Sequence, residues 1–280
     1  MSQIIDGKEI SKQIKEELAS KVKTCMIKPS LAVIQIGEDP ASNAYIKGKA
    51  KAANEIGMNF RLFQYAFDTS EREIVNKIVE LNNDEYIDGI IVQLPLPSGM
   101  STKKIINAID VSKDVDGLTD KSIARFYNNR KCFVPCTPQA VMELLKQKEI
   151  EVAGKHVVVV GRSNLVGKPL VQLFLKKDAT VTVCHSKTEN LKELTKLADV
   201  LIVAVGKKHL ITADMVKEGV IIIDVGITRE DGKLYGDVDF DKVEKKASYI
   251  TPVPGGVGPM TVTMLLRNVI ECYNNKNTSK

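Results

Sequence analysis

Four short runs in the second half of the chain constrain its fold most: "HVVVVG", "ATVTVCHS", "DVLIVAVG" and "GVIIIDVG". Each is short and rich in Val or Ile. Helical or loop stretches separate them, and a fifth run, "SYITPV", follows. Near-continuous apolar strands that alternate with helices indicate a parallel sheet covered on both faces. The first half alternates in the same way. "SLAVIQIG", "MNFRLFQYAF" and "DGIIVQLPLP" read as strands. Asp39-Pro40 starts a helix, because Asp caps free amides and Pro suits the first helical position. That helix runs to about Ile56 and stops at Gly57. Ser70 and Glu73 stand in capping-box spacing before the next one. A short helix over 101–109 then leads into the loop "DVSKDVDGLTD".

The character changes at "RFYNNRKCFVPCTP", which reads as irregular and turn-rich. The expected fold class is therefore α/β with two α/β domains, 1–119 and 120–280, the second a Rossmann-type parallel sheet. Thr137-Pro138 caps the helix "PQAVMELLKQ". An amphipathic C-terminal helix over about 259–275 could pack back across the first domain, and "NKNTSK" reads as a disordered tail.

Composition narrows the partners. No apolar run reaches the ~18–20 residues of a membrane span, and the charged N-terminal stretch lacks a signal peptide's apolar core, so a cytoplasmic protein is expected. Five scattered cysteines without a CxxC pair speak against a disulfide framework or a zinc site. Three histidines, none in HxxxH spacing, leave no metal expected. The net charge of +5 is spread along the chain and aromatics are only 5%. That pattern disfavours nucleic acid and favours small anions such as phosphates or carboxylates.

One loop is a candidate for them. "VVVVGRSNLVGKPL" is a strand running into glycines, yet it fits neither common phosphate loop. Five residues separate Gly161 from Gly167, where the mononucleotide loop needs four, and Lys168 is followed by Pro169 rather than a hydroxyl. A dinucleotide fingerprint would place glycines where Ser163 and Val166 stand. The strand context nonetheless suits a dinucleotide, with the helix expected near Pro169 offering free amides to a diphosphate. The next strand ends in Cys184, His185, Ser186, Lys187 and Thr188, without the carboxylate that binds a ribose 2′-OH. Arg162 and Ser186 suit a 2′-phosphate instead, which points to NADP rather than NAD.

In the first half, Tyr45 and Lys49 are four apart and share a helix face. Gln93 lies at the end of "GIIVQLPLP", flanked by Val92 and Leu94, and Asp116 sits in "KDVDGL". The string "TPVPGGVGPMT" has three glycines and three prolines and forms a rigid backbone wall against which a ligand could lie flat, or a hinge.

These strings together resemble the methylenetetrahydrofolate dehydrogenase/methenyltetrahydrofolate cyclohydrolase family. "SNAYIKGKAKAANEIGM", "DGIIVQLPLP", "KDVDGL", "PCTPQAVMELL", "VVGRSNLVGKPL", "ATVTVCHSKT" and "ITPVPGGVGPMTVTMLL" keep the family's order along nearly the whole chain. The resemblance implies a folate-binding domain, an NADP-binding domain, a cleft between them and a homodimer. It implies oxidation of 5,10-methylenetetrahydrofolate followed by hydrolysis to 10-formyltetrahydrofolate. Lys49 would be the central catalytic residue, with Tyr45, Gln93 and Asp116. Folate would contact Tyr45, Lys49, Val92, Gln93, Leu94 and Asp116, and also Pro254, Gly255, Gly256, Val257, Gly258, Pro259, Met260, Thr261 and Val262 in a flanking loop. NADP would contact Gly161, Arg162, Ser163, Ser186 and Ile227. A two-domain NADP dehydrogenase of the shikimate-dehydrogenase kind is the rival, though it would not explain "VQLPLP" or "PVPGGVGPMT".

Overall fold

The structure is a computed structural model that describes residues 2–278. The chain opens with a two-residue strand, β1 (Gln3–Ile4), and a helix, α1 (Gly7–Lys23). It continues through β2 (Ser30–Ile36), α2 (Pro40–Glu55), β3 (Asn59–Tyr65), α3 (Glu71–Asn83), β4 (Gly89–Val92), α4 (Thr102–Ile106), α5 (Asp120–Tyr127) and α6 (Cys136–Gln147). Then come β5 (His156–Val160), α7 (Gly167–Leu175), β6 (Thr180–Cys184), α8 (Leu191–Lys196), β7 (Val200–Val203) and β8 (Ile221–Asp224). The hairpin β9 (Thr228–Glu230) and β10 (Lys233–Tyr235), α9 (Phe240–Val243), β11 (Tyr249–Ile250) and α10 (Val257–Thr278) complete it.

The helix signals act as expected at α2 and α3. Asp39 accepts from Ser42 N at 2.7 Å, and Ser70 accepts from Glu73 N at 3.2 Å. A cap of this kind contributes about 1 kcal/mol. Gly57 ends α2 with φ of 77°, a conformation that suits glycine.

The chain divides into two compact units, each built on a parallel sheet. The three-strand unit comprises Gln13–Cys136 and the chain from Val262 onward. Its sheet has the order β3-β2-β4. β2 and β4 are buried along their whole length, whereas β3 is an edge strand with exposed positions. Ile74, Ile78 and Leu81 of α3 and Ile105 and Ile106 of α4 join Ala32, Ile34 and Ile90 of the sheet in one core.

The six-strand unit comprises the chain up to Lys12 and Thr137–Thr261. Its sheet order is β1-β11-β8-β7-β5-β6, with every pair parallel. The apolar runs become β5, β7 and β8, buried on both faces as their composition requires, and the more exposed β6 at the edge. From β5 the chain moves to β6 on one side and then to β7 on the other. Strand order therefore reverses beside β5, where ligands bind in open α/β sheets.

The units are not the contiguous halves 1–119 and 120–280. β1 pairs with β11, Gln3 opposite Tyr249, which takes the N-terminus into the six-strand sheet. Residues 120–136 group with the three-strand unit. They are not wholly irregular either, since Thr119 caps α5 through Ser122 N at 3.1 Å and α5 buries Ser122 and Phe126. α6 begins at Cys136, one residue before the expected cap. α10 begins at Val257 and extends through Thr278, so residues 275–278 are helical rather than tail. The rest of the expected tail, Ser279 and Lys280, lies outside the described residues.

Candidate active site and nucleotide loop

Three of the expected residues meet in the three-strand unit. Lys49 lies on α2, Gln93 follows β4, and Asp116 is in the turn after α4. Lys49 Nζ donates to Gln93 Oε1 at 3.0 Å. The Gln93 amide is itself held, because Nε2 donates to the Leu94 carbonyl at 2.7 Å. That bond turns Oε1 toward the amine. Burial holds the Lys49 pKa below the ordinary lysine value, while the negative charge of Asp116 pushes it up.

The Asp116 turn is built by its neighbours. Asp114, 1% exposed, accepts from Thr119 N at 2.8 Å and Leu118 N at 3.1 Å. Gly117 has φ of 67°, and a Cβ there would stand 2.6 Å from the Phe133 carbonyl oxygen. Cys136 was not singled out in the sequence, yet its thiol meets Asp116. Burial first, then the Asp116 charge, push that thiol well above its ordinary range. Cys136 thus stays a neutral thiol, and Asp116 is the charge that Lys49 feels. The only sequence signal for it was its place in "PCTP".

Tyr45 lies one turn before Lys49 and is half-exposed. Among the described residues its hydroxyl makes no hydrogen bond to the amine, so Gln93 alone holds Lys49. Val92 ends β4 and is buried, and Leu94 is half-buried beside Gln93. The bonds Leu94–Pro95 and Val253–Pro254 are cis. Residues Pro254, Gly255 and Gly256 form a turn, but Val257, Gly258, Pro259, Met260, Thr261 and Val262 are the first turns of α10 rather than a loop. All of these except Val262 belong to the six-strand unit. There, Lys8 N donates to the Gly255 carbonyl at 3.1 Å, and a Cβ on Gly7 would stand 1.9 Å from the Gly256 carbonyl oxygen. The start of α1 therefore packs directly on the backbone wall.

In the same unit, Gly161 follows β5 with φ of 132°. A Cβ on it would meet the Ala204 carbonyl oxygen at 2.4 Å, and one on Gly167 would meet the Gly161 carbonyl oxygen at 2.2 Å. The first glycine lets the loop close against the end of β7, and the late glycine lets α7 close against the loop. α7 starts at Gly167 rather than near Pro169, and its first amides are not free. The Ser163 hydroxyl accepts from Val166 N at 3.1 Å and Gly167 N at 3.4 Å, and its carbonyl accepts from Lys168 N at 3.0 Å. The amides of Arg162, Ser163, Asn164 and Leu165 make no hydrogen bond among the described residues. The donors open to a phosphate thus lie in the loop itself. Arg162 and Ser186 are exposed at the ends of β5 and β6, and Ile227 is exposed after β8. A Cβ on Gly258 would lie 3.9 Å from Ile227 Cδ1, which places these two expected contacts side by side. Unused amides, crowded glycines and an exposed guanidinium fit a phosphorylated dinucleotide.

Two buried carboxylates that the sequence did not signal hold the adjoining loops. Asp237 accepts from Val205 N, Gly206 N and Lys207 N at 2.7, 3.0 and 2.6 Å. Asp224, at the end of β8, accepts from Gly226 N, Asp237 N and Val238 N at 3.0, 3.1 and 2.9 Å.

Comparison with known proteins agrees with this geometry. The family model "Tetrahydrofolate dehydrogenase/cyclohydrolase, catalytic domain" matches residues 5–116, and that family's NAD(P)-binding domain matches residues 135–277. The chain belongs to the tetrahydrofolate dehydrogenase/cyclohydrolase family. It is 54% identical over 273 residues to the bifunctional protein FolD of Bacillus anthracis, covering 96% of this chain and 95% of that one. The crystal structure of the bifunctional enzyme FolD from Campylobacter jejuni is 46% identical, with a TM-score of 0.97 over 99% of this chain and 100% of that one. The Trypanosoma brucei dehydrogenase-cyclohydrolase, solved with NADP cofactor and an inhibitor, is 35% identical with a TM-score of 0.94, and 98% of each chain is covered. A shikimate dehydrogenase from Aquifex aeolicus, 14% identical with a TM-score of 0.54 over 89% of this chain and 92% of that one, shares the fold alone.

Proposed function

We propose that this chain oxidises 5,10-methylenetetrahydrofolate with NADP⁺ and hydrolyses the 5,10-methenyl product to 10-formyltetrahydrofolate, with Lys49 serving mainly the second reaction. The observation that carries the reading is the buried Lys49 amine, bonded to a fixed Gln93 oxygen beside Asp116.

Bound NADP⁺ supplies the hydride acceptor. The loop amides of 162–165 and the exposed Arg162 and Ser186 would hold its phosphates, the guanidinium suiting the 2′-phosphate. Gly161, Ser163 and Ile227 complete the cofactor contacts. Hydride loss from the folate methylene leaves a cation spread over N5, the bridging carbon and N10. That step needs orientation more than a base. Asp116, Tyr45, Val92 and Leu94 supply the orientation. Water then attacks the bridging carbon, and neutral Lys49 accepts the proton that water gives up. As the carbon–N5 bond breaks, the Lys49 ammonium returns a proton to N5, and the hydroxyl proton of the intermediate leaves to solvent as the formyl C=O forms. A lysine with the ordinary pKa of ~10.4 would be a poor base near neutrality, and burial shifts Lys49 in the direction this role needs. Gln93 orients the amine through both transfers.

The chain works as a homodimer in this reading, which light scattering giving twice the chain mass would support and a monomer mass would contradict. A cytoplasmic setting suits the five free cysteines. No helix among the described residues is long and apolar enough to cross a membrane. The test of the whole function is to mix protein, methylenetetrahydrofolate and NADP⁺ and follow the methenyl and NADPH absorbance. A methenyl band that rises and then decays supports both steps. NADPH that never forms contradicts the first step, and a methenyl band that forms and persists contradicts the second.

A further inference from the structure

Asn268 is a polar residue in an apolar stretch of α10. Its neighbours Met264, Leu265, Leu266, Val269 and Ile270 are buried, and Asn268 itself is 1% exposed. A buried amide must find its partners in the protein. Asn268 Nδ2 donates to the Val115 carbonyl at 2.8 Å and approaches Cys136 Sγ at 3.7 Å. Cys136 Sγ lies 3.6 Å from the same carbonyl, and its thiol also meets the Asp116 carboxylate. The Val115 carbonyl belongs to the peptide plane whose nitrogen is that of Asp116. Fixing the plane fixes the axis about which Asp116 turns. On the other side, Gly117 sits at φ of 67° with the Phe133 carbonyl oxygen 2.6 Å from where a Cβ would stand, so the chain is closely packed there too. Asp116 is thus clamped from both ends, and Asn268, more than a hundred residues away in sequence, is one jaw of the clamp.

We propose that Asn268, acting with Cys136, is a positioning residue for Asp116 that sets the direction in which the carboxylate meets the folate. The inference rests on the reading of Asp116 as a folate contact. Asn268 touches neither substrate nor cofactor in this account. Its effect is transmitted through one carbonyl and one thiol.

The test is steady-state kinetics of both activities in Asn268→Leu, Cys136→Ala, Cys136→Ser and Asp116→Asn, with thermal unfolding measured alongside. Asn268→Leu keeps the branched shape and number of heavy atoms and removes the donor. It is expected to raise KM for both folate substrates about tenfold, the worth of one hydrogen bond, while the dehydrogenase kcat stays within about threefold. Cys136→Ala should raise KM by a smaller factor, and Cys136→Ser, which keeps a hydrogen-bonding group, should restore it. A lower melting temperature with unchanged KM would mean that Asn268 is only structural, and would overturn the inference. If Asn268→Leu does not fold, the cysteine pair decides. A KM rise in Cys136→Ala that serine reverses supports the clamp, and no rise, or a rise that serine leaves in place, overturns it. Asp116→Asn separates the two levels. If it raises KM while the other variants do not, the clamp alone fails. If it leaves KM unchanged, the reading of Asp116 fails and the clamp fails with it.

Discussion

In the proposed reading, the three-strand unit carries its chemistry on side chains, and the six-strand unit offers its ligand largely main chain. Lys49, Gln93 and Asp116 would act through an amine, an amide and a carboxylate set on three separate elements. The nucleotide loop would act through amides, beside two glycines whose missing Cβ atoms let backbone meet backbone. The difference follows from the ligands' needs. A proton must be taken up and released by a group with a movable pKa, which only a side chain supplies. A diphosphate needs several donors at close range, which the backbone supplies at no cost in side-chain entropy. Substitutions should therefore separate the two functions by the unit in which they fall.

The largest separation is expected from Gly167→Ala. The added carbon would stand 2.2 Å from a backbone oxygen, so the loop must shift. NADP binding should weaken by about a hundredfold or more, while hydrolysis of supplied methenyltetrahydrofolate, which consumes no cofactor, should persist. Titration of NADP beside a cyclohydrolase assay checks this, and equal loss of both would break the comparison. Arg162→Ala should act in the same direction but less strongly. It removes one charge-assisted contact of about 1.5–3 kcal/mol, about tenfold to a hundredfold in NADP affinity, with NAD affinity little changed. Unchanged NADP affinity would sink the assignment of Arg162 to the 2′-phosphate.

The smallest effect concerns the supports rather than the contacts. Burial raises Asp224 to about 7, against the pull of the three amides it accepts. The folded state then holds a proton that the unfolded state has released between about pH 4 and pH 7. Stability falls as pH rises through that window. Asp224→Asn should remove this component, so unfolding midpoints of the two proteins should follow different pH slopes across it. Parallel slopes would show that Asp224 stays ionised in the fold.

The sequence was most legible where one local rule governs. β5, β7 and β8 are continuous apolar runs, and nothing but a doubly covered strand accommodates them. Lys49 was legible through its spacing from Tyr45 and its place in the family's strings. Its contact with Gln93 needed the fold, because the partners are 44 residues apart. The helix α5 went unread because eight residues are too few to show a period, although Thr119 supplied a cap. The hairpin of β9 and β10 has a single turn signal, Asp231-Gly232, both at positive φ, between strands of three residues each. β1 carries no local signal, since its strand character exists only through pairing with β11. Asn268 lies within the amphipathic C-terminal helix, and only its burial marks it out. Ser163 was expected as a cofactor contact. Its hydroxyl is also spent on the first turn of α7, a role no motif records.

The central claim is that a buried amine on α2 performs the proton transfers of hydrolysis and that hydride loss needs none. The measurement that meets it most directly is the pair of activities in Lys49→Met, assayed separately on methylenetetrahydrofolate with NADP⁺ and on methenyltetrahydrofolate alone. Hydrolysis should fall by roughly 10²–10⁴-fold, the range for loss of a general acid–base group, and dehydrogenation should fall far less. Lost dehydrogenation with intact hydrolysis would contradict the account.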